Sequence, residues 1–211
     1  MRKLLFSTWM PKLLAVFALV AVAAPASAMT VLQVDLKALI TTADQVLYGT
    51  IAGTKVIDRR KEGRGVWTEI SLDVKEVWKG DARLASKRFS WLHVGGTTPD
   101  GITVAVPGMP GFVAGEETVV VLEKNTESYV ISGGPQGKFN VKLNSVGQKT
   151  VTRDMPDVNF IRQDPQSGKM QQAPRQVQIV RTLNEFRAEV LGYVADALKA
   201  TKPAKAPATG K

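Results

Sequence analysis

Apolar and polar positions alternate with period two through the middle of the chain. Val66, Thr68, Ile70, Leu72 and Val74 interleave with Trp67, Glu69, Ser71 and Asp73, which predicts a strand with one covered face from Val66 to Trp78. The phase slips at Lys75-Glu76, because the next apolar residue is Val77. One extra residue there predicts a bulge, which bends a strand around a barrel corner. Shorter runs predict strands over 45–57, 87–94, 102–106, 118–123, 129–131, 139–143 and 149–152. Residues 95–115 carry Gly95, Gly96, Gly101, Gly108, Gly111 and Gly115 with Pro99, Pro107 and Pro110; Pro107-Gly108 and Pro110-Gly111 each suit the centre of a type II turn.

Two segments have helical character. Asp35 precedes Leu36-Lys37-Ala38-Leu39-Ile40 as an N-cap. Thr182-Leu183-Asn184-Glu185 is a capping box, followed by Leu183, Phe186, Val190, Tyr193, Val194 and Ala197 at helical spacing. This predicts a helix over about 183–198 with one apolar stripe that docks on the body. Residues 162–176 lack periodicity and read as a linker or flexible loop. The Lys/Pro/Ala tail, 199–211, holds nothing that forms a core and is expected to be disordered. Six or seven short strands with glycine-rich turns predict a mainly β fold: a small antiparallel barrel, closed or partly open, over 29–161, with a short N-terminal helix and a docked C-terminal helical segment, 177–198.

The first 28 residues read differently. Arg2, Lys3 and Lys12 precede the apolar run Leu13–Ala24, then Pro25 and Ala26-Ser27-Ala28. This is the pattern of a Sec-type signal peptide, with cleavage expected after Ala28 and a periplasmic or secreted product. Export changes the meaning of the charge. Of the formal +9, Arg2, Lys3 and Lys12 account for three and Lys199, Lys202, Lys205 and Lys211 for four. The body is nearly neutral, so nucleic acid is not the expected partner. The tail offers at most a weak, salt-screened contact with an anionic surface.

The chain has no cysteine and one histidine, which excludes a disulfide framework, a thiol nucleophile, a Cys-based zinc site and an iron–sulfur cluster. His93 shares a strand face with Phe89 and Trp91 and reads as a half-buried structural residue. Asp154, Asp157 and Asp164, with Asn159, do not fit a calcium loop. Glu69 and Asp73 alternate with core positions on an outward face, where solvated carboxylates are expected rather than a glycosidase pair. Gly133-Gly134-Pro135-Gln136-Gly137-Lys138 lacks the Ser/Thr and the helix of a phosphate loop. No cofactor or metal is expected.

Several short motifs occur in a familiar order: Tyr48-Gly49-Thr50-Ile51, Glu76-Val77-Trp78-Lys79-Gly80, Gly95-Gly96, Val106-Pro107-Gly108-Met109-Pro110-Gly111-Phe112, Gly115-Glu116, Val119-Val120-Val121-Leu122 and Gln136-Gly137-Lys138-Phe139. Over about 36–143 this resembles a group of exported bacterial β-barrel domains to which no activity is assigned. The resemblance implies a fold and a compartment, and no catalytic residue. The bent second strand is also similar to that of the oligonucleotide/oligosaccharide-binding (OB) barrel.

OB-type barrels place ligands on their second and third strands, and Arg64, Trp67, Trp78, Lys79, Arg88 and Trp91 fall there. They form one candidate surface, joined by Met109 and Phe112 from the glycine-rich loop. The bland alternative has the tryptophans as core or barrel-end packing and Phe112 plugging a barrel end. The expected function is a non-catalytic binding or structural module of the periplasm or cell envelope, with a protein, peptide or glycan partner. The rival readings are a periplasmic hydrolase with an unrecognised site, or an OB-like barrel that binds oligosaccharide, peptide or a protease.

Overall fold

The computed structural model describes residues 29–153, 155, 158–174 and 180–201. The predicted signal peptide, Asp154, Asp157 and the tail beyond Thr201 lie outside the described residues. In chain order the elements are β1 (Met29–Leu32), α1 (Leu36–Thr42), β2 (Gln45–Asp58), β3 (Val66–Lys79), β4 (Arg88–Val94), β5 (Gly96–Thr97), β6 (Thr103–Val104) and β7 (Glu117–Lys124). There follow β8 (Tyr129–Ile131), β9 (Lys138–Leu143), β10 (Lys149–Thr152), β11 (Val158–Gln163), β12 (Met170–Gln172), β13 (Arg181–Thr182) and α2 (Leu183–Thr201).

The main sheet runs β13-β10-β9-β7-β2-β3-β4, with β8 also paired to β7. All its pairings are antiparallel. β2 and β3 form the long hairpin at its centre, and their ladder skips at Lys75, where the sequence phase slips. Two further irregularities, at Trp78 on β3 and Ala52 on β2, add curvature. The sheet curls until β4 lies against β8, with the Phe89 and Tyr129 rings 5.1 Å apart edge to face. No ladder joins β4 to β8, so the barrel is partly open rather than closed.

Two cores lie on opposite faces of this sheet. Inside the curl, Leu47, Ile51, Ile70, Leu72, Val74, Trp91, Val120, Leu122 and Ile131 pack together. On the outer face, Val46, Tyr48, Trp78, Val119, Val121 and Phe139 meet Leu39 and Ile40 of α1 and Phe186 and Val190 of α2. β7 is apolar without alternation because its odd residues feed one core and its even residues the other. The capping box forms as expected: the Glu185 amide donates to Thr182 Oγ1 (3.2 Å) and the Thr182 amide to Glu185 Oε2 (2.9 Å). Asp35 Oδ1 accepts from the Ala38 amide at 2.7 Å.

Three expectations need correction. Of residues 162–176, expected as a linker or flexible loop, the described part, 162–174, is not one: β11 and β12 form a hairpin about Asp164, whose Oδ1 accepts the Gln166 and Ser167 amides. β12 is exposed along its length, so it carries no apolar period to read. β1 joins this hairpin in parallel register with β11, Met29 opposite Val158. The strand expected over 102–106 shrinks to Thr103–Val104, since its partner β5 has only two residues and Pro107 follows. The C-terminal helix runs on through Thr201, three residues into the expected disordered tail.

Candidate ligand shelf on the barrel

The turn after β2 carries three arginines, two of which share one carboxylate. Arg60 is held by Asp58 (2.7 Å) and Asp100 (2.8 Å). Arg59 donates to Glu127 Oε2 at 2.8 Å, and Arg64 pairs with the other oxygen of the same carboxylate. Glu127 sits in the β7–β8 turn, which Asn125 shapes by accepting the Glu127 and Ser128 amides. Trp67 donates its indole N–H to the Arg64 carbonyl at 2.7 Å, which fixes the ring. Arg59, Arg64, Trp67, Leu92, Asn125, Thr126 and Glu127 line one pocket of about 410 Å³. Two guanidiniums share one carboxylate beside a half-buried indole, so the pocket has a cationic excess and an apolar wall.

This pocket joins the β2–β3 turn, the start of β3, Leu92 on the facing strand β4, and the β7–β8 turn. Arg64 and Trp67 were legible as candidates from the sequence. Arg59 and Glu127 were not, because they meet only when the β2–β3 tip crosses to the β7–β8 turn.

The remaining sequence candidates fall elsewhere. Trp91 is fully buried in the inner core, with its indole nitrogen unpartnered, and Trp78 is 3% exposed between Tyr48 and Phe186. Neither offers a ring face to solvent, in keeping with the packing alternative. Lys79 donates to the Ile40 and Thr41 carbonyls (2.9 and 2.8 Å), capping the C-terminus of α1. Burial pushes its ammonium pKa down, with Asp44 opposing. Arg88 makes a two-pronged bond to Asp73 on the outward face. Asp73 is exposed and Glu69 half-buried, and the pairing with Arg88 holds the Asp73 carboxyl below the usual range.

Phe112 does not reach outward. Its ring stands edge-on to Trp91 and to His93, each at 5.3 Å, and closes the barrel end. Lys138 holds it there: Nζ donates to the Gly111 carbonyl (2.6 Å) and to Glu116 (2.7 Å), 4.8 Å from the Phe112 ring. Burial, then the charge of Lys138, pushes the His93 pKa down. Met109 is half-buried, its sulfur beside Gly134.

Three of the motifs that carried the family resemblance thus meet at one plug. Gln136 serves a second join: it accepts the Val34 amide (2.9 Å) and donates to the Leu32 carbonyl (2.9 Å). Gly137 is required by contact, since a Cβ there would lie 2.4 Å from the Ser132 carbonyl oxygen.

A further cluster was invisible in the sequence. Tyr48 donates to Glu117 Oε2 (2.8 Å), and Lys149 donates to the phenol oxygen (2.9 Å) and to Glu117. Lys75, on the bulge, reaches the same carboxylate at 2.5 Å. Burial works to raise the Glu117 pKa, but the bonds from Lys149, Lys75 and Tyr48 outweigh it and hold the carboxyl at about 2. Tyr48 is pushed up, first by burial. Every polar atom in this cluster has a partner, which marks it as a tie between β2, β3, β7 and β10.

Comparison with protein-family models, with curated proteins and with solved structures gives no match for this chain.

Proposed function

We propose that this chain is a non-catalytic binding module of the bacterial cell envelope, exported by its N-terminal signal. Its ligand would carry a carboxylate beside an apolar or planar group. One observation carries the reading: Arg59 and Arg64 share the single carboxylate of Glu127 on the lip of a pocket walled by Trp67. A guanidinium fork matches a carboxylate in two-pronged geometry, and an indole face suits a sugar ring or a planar side chain. The position on the second and third strands supports the reading by fold analogy.

The test is a tryptophan-fluorescence titration of the protein without its signal peptide. One arm uses oligogalacturonate and its methyl ester; the other uses short peptides with and without a glutamate. Binding by the charged member of a pair, weakened at least tenfold in Trp67→Ala and in Arg64→Ala and unchanged in Arg83→Ala, supports the reading. Arg83 is an exposed residue of the β3–β4 connection that, among the described residues, pairs with Asp81. Equal binding by Trp67→Ala would overturn it.

A further inference from the structure

The two arginines of the Trp67 pocket are held differently from three others nearby in sequence. Arg60, Arg83 and Arg88 each close both arms of the guanidinium fork on one carboxylate, that of Asp58, Asp81 and Asp73 respectively. Arg59 and Arg64 do not. Arg59 reaches Glu127 Oε2 through Nη1 at 2.8 Å, and Arg64 meets Oε1 through Nη2. One carboxylate is divided between two forks, and among the described residues neither arginine has a second acidic partner.

The shared carboxylate also stands apart in how it is carried. Asp58 and Asp81 lie two residues from the arginines they bind, and Asp73 lies opposite Arg88 in the β3–β4 ladder. Glu127 comes from the β7–β8 turn, 68 residues from Arg59. Asn125 sets the backbone of that turn: its side chain accepts the Glu127 and Ser128 amides, and its own amide donates to the Ser128 carbonyl at 2.8 Å. The Glu127 side chain takes no part in those bonds and is 45% exposed. It can rotate into solvent while the turn keeps its shape, and ion pairs at such exposure are weak.

We propose that Glu127 is a resident stand-in for the ligand's carboxylate: an acidic ligand takes its place on Arg59 and Arg64, and the Glu127 side chain turns out to solvent. The inference rests on the Trp67 pocket being a binding site, and it names what controls that site. Exchange of one carboxylate for another gains little by itself. Affinity then comes from the group beside the acid, which meets Trp67 and Leu92 in the pocket. Glu127 therefore selects acids joined to an apolar or planar group over bare acids, by competing with both.

The deciding variant is Glu127→Gln, which removes the charge and keeps the side-chain length and the Asn125 turn. The probes are oligogalacturonate with its methyl ester, and a glutamate-bearing peptide with its neutral twin, titrated against the protein without its signal peptide. A charged probe should bind Glu127→Gln at least fivefold more tightly than wild type, and its neutral twin should bind both alike. Glu62→Gln is the control. Glu62 is an exposed acid of the β2–β3 turn, so this variant removes an equal charge close by and should change affinity less than twofold. Acetate should compete with the charged probe on Glu127→Gln and not on wild type.

A second measurement follows the displaced side chain. In protein made with carboxyl-labelled glutamate, the Glu127 carbon signal, assigned by its absence from Glu127→Gln, should move toward that of the exposed Glu62 when a charged probe binds. Charged probes that lose affinity on Trp67→Ala but bind Glu127→Gln no more tightly than wild type would overturn the stand-in and keep the pocket. Tighter binding to Glu127→Gln with the Glu127 signal of wild type unmoved would do the same, because the ligand would then sit beside Glu127 rather than replace it. Acetate competing equally on both proteins would overturn the selection. Probes that bind neither protein, or that ignore Trp67→Ala, would overturn the pocket and the stand-in together.

Discussion

Glu117 shows how much a single side chain can organise. Its carboxylate gathers Tyr48, Lys75 and Lys149 from three strands and titrates at about 2 against an ordinary 4.5. A carboxyl depressed in the folded state contributes stability that is present above its unfolded pKa and is lost as pH falls toward the folded one. The window here runs from about 4.5 down to about 2. Urea unfolding should show wild type losing its advantage over Glu117→Gln through that window and exceeding it at pH 7. Phe112 gives a second test at this scale. Phe112→Ala opens the barrel end over Trp91 and should cost about 2–3 kcal/mol in denaturant unfolding, below the 3–5 of a fully buried phenylalanine because the ring is half-exposed. It should also shift the Trp91 emission to the red. Neither residue's role was fully legible beforehand. The plug could be named from a Pro/Gly loop ending in phenylalanine, but the Lys138 brace joins positions 22 residues apart from Glu116 and 27 from Gly111.

Among the elements, legibility followed periodicity. β3 and α2 carry long, clean periods and a cap, and both begin where the sequence puts them. β1, β11, β12 and β13 are short, and the β1–β11–β12 sheet buries only a small cluster of Val158, Phe160 and Ala173, packed with Val31 and Met155. Such strands are defined by their partners rather than by their own residues. α2 depends on its cap and its anchor. Thr182→Ala removes the capping bond to the Glu185 amide and should cost about 1 kcal/mol. Phe186→Ala empties a site between Trp78 and Phe139, whose rings lie 6.0 and 4.7 Å away, and should cost about 3–5 kcal/mol. Thermal unfolding followed by circular dichroism checks both.

At the scale of the molecule, one curved sheet serves two cores that share no side chain. Changes on opposite faces should therefore be nearly independent. Ile70→Val inside the curl and Phe186→Ala outside it should add to within about 0.5 kcal/mol in a double-mutant cycle. A larger coupling would mean that the backbone of β2 and β7 transmits strain between the faces. The antiparallel barrel was legible from strand count and the phase slip in β3; whether it closes was left open, and the missing β4–β8 ladder decides it. The Trp67 pocket was only half legible: Arg64 and Trp67 are three residues apart in sequence, whereas Glu127 arrives from the far hairpin.

The join at Gln136 bears on how the molecule is made. Leu32 and Val34, near the start of the described chain, are tied to position 136, and β1 finds its ladder partner only at Val158–Ile161. A polypeptide emerging from its amino end therefore cannot finish that corner until more than a hundred further residues have followed. Contacts so remote in sequence form late and slowly, so this polypeptide completes its fold last at the strand where its described residues begin.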